Sequence, residues 1–162
     1  PNPMSWTGVG ANVNFDPTLR SGLEIDAKNQ IASNLTLHTN AAWRKAQFRA
    51  GAYAGNTVPL VAKRQVSVGL DWQIAAEHSV NTRANWVSSQ QVDFNNTCRI
   101  PAYSTVDAGY RYTHGAWEFN TQIQNLGNTR YYSMAYSCVG GQPSSIYPEA
   151  GRRLNLNLRY QF

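Results

Sequence analysis

Hydrophobic and polar positions alternate with a period of two through most of this chain, and most clearly at its end. From Gly151 to Phe162, the residues Leu154, Leu156, Leu158, Tyr160 and Phe162 form an apolar row, while Arg153, Asn155, Asn157, Arg159 and Gln161 form a polar one. Successive side chains of a strand point to opposite sides of the pleat, so this pattern predicts a strand with unlike faces. Six upstream stretches repeat it. Leu19, Leu23, Ile25 and Ala27 oppose Arg20, Gly22, Glu24, Asp26 and Lys28; Leu35, Leu37, Thr39, Ala41 and Trp43 oppose Asn34, Thr36, His38, Asn40 and Arg44. Val66, Val68, Leu70, Trp72 and Ile74 then oppose Gln65, Ser67, Gly69, Asp71 and Gln73, and Val80, Thr82, Ala84 and Trp86 oppose Ser79, Asn81, Arg83 and Asn85. Val106, Ala108, Tyr110 and Tyr112 face away from Thr105, Asp107, Gly109 and Arg111, as Trp117, Phe119, Thr121 and Ile123 do from Glu118, Asn120, Gln122 and Gln124.

The connections between these strands alternate in length. Short turns are predicted at Gln30–Ser33, Ala75–Glu77 and His114-Gly115, and long loops at about 50–61, 90–101 and 137–150. Asn125-Leu126-Gly127-Asn128 breaks the period as a β-bulge would, with Tyr131-Tyr132 resuming an extended segment, and residues 1–18 read as a loop. Tight turns at one end and long loops at the other are the signature of a transmembrane antiparallel β-barrel with short periplasmic turns. Strands of about 12 residues at ~3.3 Å each reach roughly 40 Å, enough to cross a tilted path through a bilayer.

Composition sharpens this picture. Charged residues make up 14% of the 162 residues, low for a soluble domain, while Asn, Gln, Ser and Thr fill the polar positions. Five Trp and nine Tyr often fall near strand ends, as in an interfacial aromatic girdle. No apolar run suits a membrane helix, but a spanning strand needs apolar residues only at alternate positions. The net charge of +5 is spread singly, without the basic run of a nucleic-acid footprint, so no nucleic-acid partner is expected. A soluble sandwich or lipocalin-like barrel also alternates. The long apolar rows, the hydrated opposite face and the terminal aromatic favour lipid over that alternative. Seven strands cannot close a single-chain bacterial barrel, and an open sheet would leave unpaired edges in lipid. With no export signal at Pro1-Asn2-Pro3-Met4, the chain reads as the C-terminal portion, 1–162, of a longer barrel.

Several local patterns resemble the C-terminal barrel of TonB-dependent outer-membrane receptors. They are Arg20-Ser21-Gly22-Leu23-Glu24-Ile25, Val58-Pro59-Leu60-Val61-Ala62-Lys63-Arg64, Pro101-Ala102-Tyr103-Ser104-Thr105-Val106-Asp107, Asn125-Leu126-Gly127-Asn128 with Tyr131-Tyr132, and Gly151-Arg152 before the final strand. Ala62 stands where the family usually has Pro, and Gly127 where it often has Phe. The resemblance implies energised uptake of a scarce metal chelate (ferric siderophore, haem or cobalamin) in the bacterial outer membrane. It also implies an upstream plug domain within a barrel of roughly 22 strands, contact with TonB through that missing N-terminal part, and handling by the barrel assembly machinery. Leu158, Tyr160 and Phe162 would form the assembly signal.

Cys98 and Cys138 lie in loops on the same side and allow one disulfide in an oxidising compartment. Tyr53, Arg99, Tyr136 and Tyr147 are candidate ligand contacts on those loops, since stacking and guanidinium hydrogen bonds suit an anionic, flat chelate. Arg83, Asp107, Arg111, Arg153 and Arg159 are candidate lumenal residues facing the plug. His38, His78 and His114 lack zinc-like spacing, and no nucleophile-elbow motif occurs, so neither a metal site, a resident cofactor nor an enzyme is expected. A passive porin-like channel is the alternative transport reading.

Overall fold

The computed structural model describes residues 16–162. The loop predicted over the first residues lies, up to residue 15, outside the described part. Eleven strands follow: β1 Thr18–Ala32, β2 Leu35–Phe48, β3 Arg64–Ala75, β4 His78–Val87, β5 Gln90–Gln91, β6 Arg99–Ile100, β7 Tyr103–His114, β8 Trp117–Gln124, β9 Tyr132–Val139, β10 Gln142–Pro148 and β11 Arg153–Tyr160. Seven of them form one antiparallel sheet in the order β1-β2-β3-β4-β7-β8-β11, so each predicted spanning strand lies beside its neighbour in sequence. The sheet does not close on itself. Among the described residues no helix is long and apolar enough to cross a membrane.

Register brings the predicted rows into continuous bands, because directly paired residues share a face. One apolar level runs Leu37, Leu70, Thr82, Ala108, Ile123, Leu154 across six strands. On the edge strand these outward side chains are largely uncovered: Leu154, Leu156 and Leu158 are 60%, 64% and 64% exposed. Aromatics collect at both margins of the band. Trp43 and Trp86 stand at the loop end. At the turn end, Trp117 packs on Tyr160 at 4.7 Å and Tyr160 on Phe162 at 5.0 Å, beside a stack of His78, Tyr110 and Tyr112.

The opposite face is polar and cross-linked. Arg44 donates to Glu24 at 2.8 Å, Asn40 Nδ2 to Asp26 at 3.2 Å, and Ser67 Oγ to Asn85 at 2.9 Å, while His38 Nε2 lies 2.8 Å from Asp71. On this face Gly22 has a steric role: a Cβ there would lie 2.3 Å from the Trp43 carbonyl oxygen, so only glycine lets β1 and β2 approach.

Two expectations need correction. Asn125–Asn128 is a turn at which the chain leaves the sheet, and no bulge within a continuing strand. Asn125 and Asn128 both take left-handed backbone (φ 52° and 50°), which Asn tolerates. Beyond it, the predicted loop 137–150 belongs largely to a separate hairpin, β9 against β10, with Tyr132 as its first strand residue. Smaller shifts place the first turn at Ser33-Asn34 and the third at Gly115-Ala116, where Gly115 supplies φ 56°.

Candidate ligand-binding surface

The three long connections all emerge from one end of the sheet and interlock. The β2–β3 loop joins the β4–β7 loop through Asn96, whose side chain accepts from Thr57 N at 2.8 Å and donates to the Thr57 carbonyl at 2.9 Å. Asn56 Nδ2 donates to the Phe94 carbonyl at 2.8 Å, and Leu60 N to the Gln91 carbonyl at 2.8 Å. Phe48, Tyr53 and Phe94 pack as a ring cluster with centroids 5.2–5.8 Å apart. The β4–β7 loop in turn holds the β9–β10 hairpin. Cys98 and Cys138 form a disulfide with Cα atoms 6.0 Å apart, and Gln90 Nε2 donates to the Ser133 carbonyl at 3.1 Å. Val92, Cys98, Ile100 and Ala135 make a small buried core beneath these bonds, with Tyr132 and Cys138 against it.

Asp93 organises the middle loop. Its carboxylate accepts from Thr97 N and Thr97 Oγ1, both at 2.8 Å, and more weakly from Cys98 N at 3.4 Å, which fixes the chain leading into the disulfide. Burial pushes the Asp93 carboxyl up, but the hydrogen bonds from Thr97 and Cys98 outweigh it and hold the group below its ordinary value. Asp93, Cys98 and Cys138 lie close enough to suggest a metal site, yet both sulfurs are consumed in the disulfide and offer no thiolate.

Asn125 anchors the hairpin's other end. Its backbone N donates to Asp107 Oδ1 at 2.8 Å, and its side chain bonds Thr129 and the Ala150 carbonyl. Asn128 Oδ1 accepts from Arg152 N at 3.0 Å. Tyr103 and Tyr131 stack at 4.2 Å nearby.

Of the loop candidates, Tyr136 and Tyr147 are brought together: their rings meet edge-on at 5.5 Å on β9 and β10, 61% and 60% exposed. The Tyr136 hydroxyl donates to Met134 Sδ at 2.8 Å. Tyr53 packs in the ring cluster with Phe48 and Phe94 and stays half-buried. Arg99 is exposed on β6, with Nε 3.1 Å from the Gln91 side-chain oxygen in the amide orientation that also satisfies the Cys98 carbonyl.

The lumenal candidates all belong to the polar face. Arg111 Nε donates to Ser79 Oγ at 3.3 Å, and Arg159 lies 3.9 Å from Glu118. Asp107 Oδ1 accepts from Asn125 N, and among the described residues Asp107 makes no ion pair with Arg83, which stands opposite it in register. Arg83 and Arg153 form no ion pair among the described residues. Sequence reasoning missed Asn96, Asp93 and Asn125 as organisers. The signal was present, since Asp and Asn followed by polar residues favour side-chain-to-backbone turns.

An antiparallel wall with apolar residues outward and hydrogen-bonded polar residues inward, capped at one end by a built loop layer, is a segment of an outer-membrane β-barrel. Residues 2–126 match the family described as TonB dependent receptor-like, beta-barrel, and the chain belongs to that family of bacterial outer-membrane transport receptors. It is 24% identical over 142 residues to the ferrioxamine receptor of Yersinia enterocolitica, covering 80% of this chain and 20% of that protein. In structure it is similar to the ferric yersiniabactin uptake receptor FyuA of Yersinia pestis (TM-score 0.80, 21% identity, 90% of this chain and 24% of that one). It is also similar to BauA, the ferric preacinetobactin receptor of Acinetobacter baumannii (TM-score 0.77, 23% identity, 90% and 22%). The chain thus spans a fifth to a quarter of the length of these relatives.

Proposed function

We propose that this chain is the C-terminal barrel portion of an active-transport receptor for a ferric siderophore, energised through TonB by parts outside these residues. The observation that carries the reading is the Tyr136–Tyr147 pair, exposed on a hairpin that a disulfide and a buried core hold in place. Ordered aromatic rings lose little freedom on meeting a flat chelate, which is the condition for tight capture. Relatives named for ferrioxamine, ferric yersiniabactin and ferric preacinetobactin favour an iron siderophore over haem or cobalamin. Arg99 adds a cation to the same layer for an anionic chelate. On this reading Arg83 and Arg153, without ion pairs in the wall, face a plug domain that supplies their counter-charges, with Arg111 and Arg159 beside them.

The test is uptake of radiolabelled iron on a panel of siderophores by cells expressing the full receptor, with and without TonB. Saturable, TonB-dependent uptake is expected. Replacing both Tyr136 and Tyr147 by Ala should weaken capture about tenfold, the sum of two ring contacts. Uptake that is unsaturable and indifferent to TonB would instead establish a passive channel.

A further inference from the structure

The disulfide that staples the β9–β10 hairpin has a carboxylate beside it. One Asp93 oxygen lies within 4.8 Å of both Cys98 Sγ and Cys138 Sγ. The group is fixed there. Thr97 N and Cys98 N hold Oδ1, Thr97 Oγ1 holds Oδ2, and Asn96 bonds the Asp93 carbonyl through its N and its Nδ2, both at 3.1 Å. All of these donors are neutral. Among the described residues Asp93 makes no ion pair, and Arg99, the cation next to Cys98 in the chain, turns its Nε to the Gln91 side chain. An uncompensated negative charge therefore stands beside the two sulfurs. Because the carboxyl is held below its ordinary value, it stays ionised wherever free thiols carry enough thiolate to react.

Thiol–disulfide exchange is sensitive to such a charge. The incoming thiolate attacks one sulfur, the S–S bond breaks, and negative charge builds on the sulfur that leaves. Cys98 is 4% exposed and Cys138 half-buried, so attack falls on Cys138 and Cys98 is the leaving group. Its thiolate would form in the small core with Val92, Ile100 and Ala135, next to the Asp93 carboxylate. Burial and like charge both disfavour that thiolate, and a thiol whose pKa is raised leaves slowly.

We infer that Asp93 is an electrostatic guard of the Cys98–Cys138 bond, slowing its reduction by small thiols. In the reaction it slows, a reductant thiolate bonds to Cys138 Sγ. The Cys98–Cys138 bond breaks, and its electron pair passes to Cys98 Sγ, which takes a proton from water. A second reductant thiolate then attacks the reductant sulfur of the mixed disulfide and releases Cys138, which is protonated in turn. The protein disulfide gains two electrons and two protons, and two reductant thiols are oxidised to one disulfide. Asp93 forms no bond in either step; its charge raises the barrier of the first. The inference rests on the disulfide and its neighbour, and not on siderophore transport.

The full receptor, purified in mild detergent, would be exposed to cysteamine, mercaptoethanol and mercaptoethanesulfonate, which are cationic, neutral and anionic thiols. Free Cys98 and Cys138 would be trapped by alkylation and quantified by peptide mass spectrometry, with rates expressed per thiolate and corrected for each thiol's pKa. A unit charge at this separation predicts reduction about tenfold faster in Asp93→Asn. Wild-type rates should fall from cysteamine to mercaptoethanesulfonate, and added salt should narrow the gap. The chain's net charge of +5 by itself favours the anionic reagent, so this order reports the local carboxylate. Thr97→Val removes one hydrogen bond and keeps the charge, and should stay near the wild-type rate. Acceleration of Thr97→Val to match Asp93→Asn would overturn the guard, because loosening of the loop would then be the cause. Equal rates in wild type and Asp93→Asn would overturn it as well. So would a wild type that is indifferent to salt and to thiol charge, a result that requires no variant to fold.

Discussion

The wall and the loop layer of this chain obey opposite rules. In the wall, large apolar side chains such as Leu70, Leu154 and Leu156 point out of the protein, while ion pairs and amide contacts line the inner face. In the loop layer the order is that of a water-soluble protein, with Ile100 1% exposed and polar groups around the rim. The difference is one of solvent. Lipid tails reward outward Leu as an interior would, so the wall needs no apolar core, and its stability comes from the strand ladder and the bilayer. The loops stand in water, where too few apolar residues are present for a large core, and a covalent bond makes up the shortfall.

The sharpest way to break the comparison is to place a charge on each side. Leu70→Arg, in the middle of the outward band, should destabilise the membrane-inserted barrel by up to about 4 kcal/mol. Urea titration in vesicles, read by heat-modifiable gel mobility, checks this; a shift as small as that of a loop substitution would mean that the band does not face lipid. Cys138→Ser should cost the loop layer about 3 kcal/mol by releasing the chain between residues 98 and 138. Hydrogen exchange should then rise in β9 and β10 and stay unchanged in β3 and β4, and loss of wall protection would show that the two regions fold as one.

The smallest effect concerns acid. The Asp93 carboxyl is held below its ordinary value, so its bonds to Thr97 and Cys98 contribute stability that is complete above the unfolded-state pKa and is lost as pH falls through the lower folded one. Exchange protection around Thr97 should therefore survive to pH values at which an ordinary carboxylate is already protonated. Asp93→Asn should abolish that dependence, and an unchanged acid profile in the variant would remove Asp93 from this role.

The wall was legible in the sequence because its cause is local: one period, seven times over, with the register following from apolar rows that must stay in lipid. The loop layer was not, because its order rests on contacts between residues far apart in the chain. Thr57 meets Asn96 across 39 positions and Gln90 meets Ser133 across 43. The β9–β10 hairpin is a different lesson. Tyr132, Met134, Tyr136 and Cys138 do alternate with Ser133, Ala135 and Ser137, and Gly140-Gly141 supplies a turn with φ of 59° and 77°. Pro143 and Pro148 obscured its second strand, since proline demotes a run to an edge at best, and an edge is where β10 lies.

The two aromatic belts also act as a gauge. Ser104, opposite Trp86, and His114, opposite Trp117, are ten residue steps apart along β7. At ~3.3 Å per residue and a tilt of about 40°, the belts stand roughly 25 Å apart along the membrane normal. A wall with that spacing matches a thin bilayer and would strain in a sterol-thickened one, so the sequence of β7 carries a preference for membrane thickness as well as a fold.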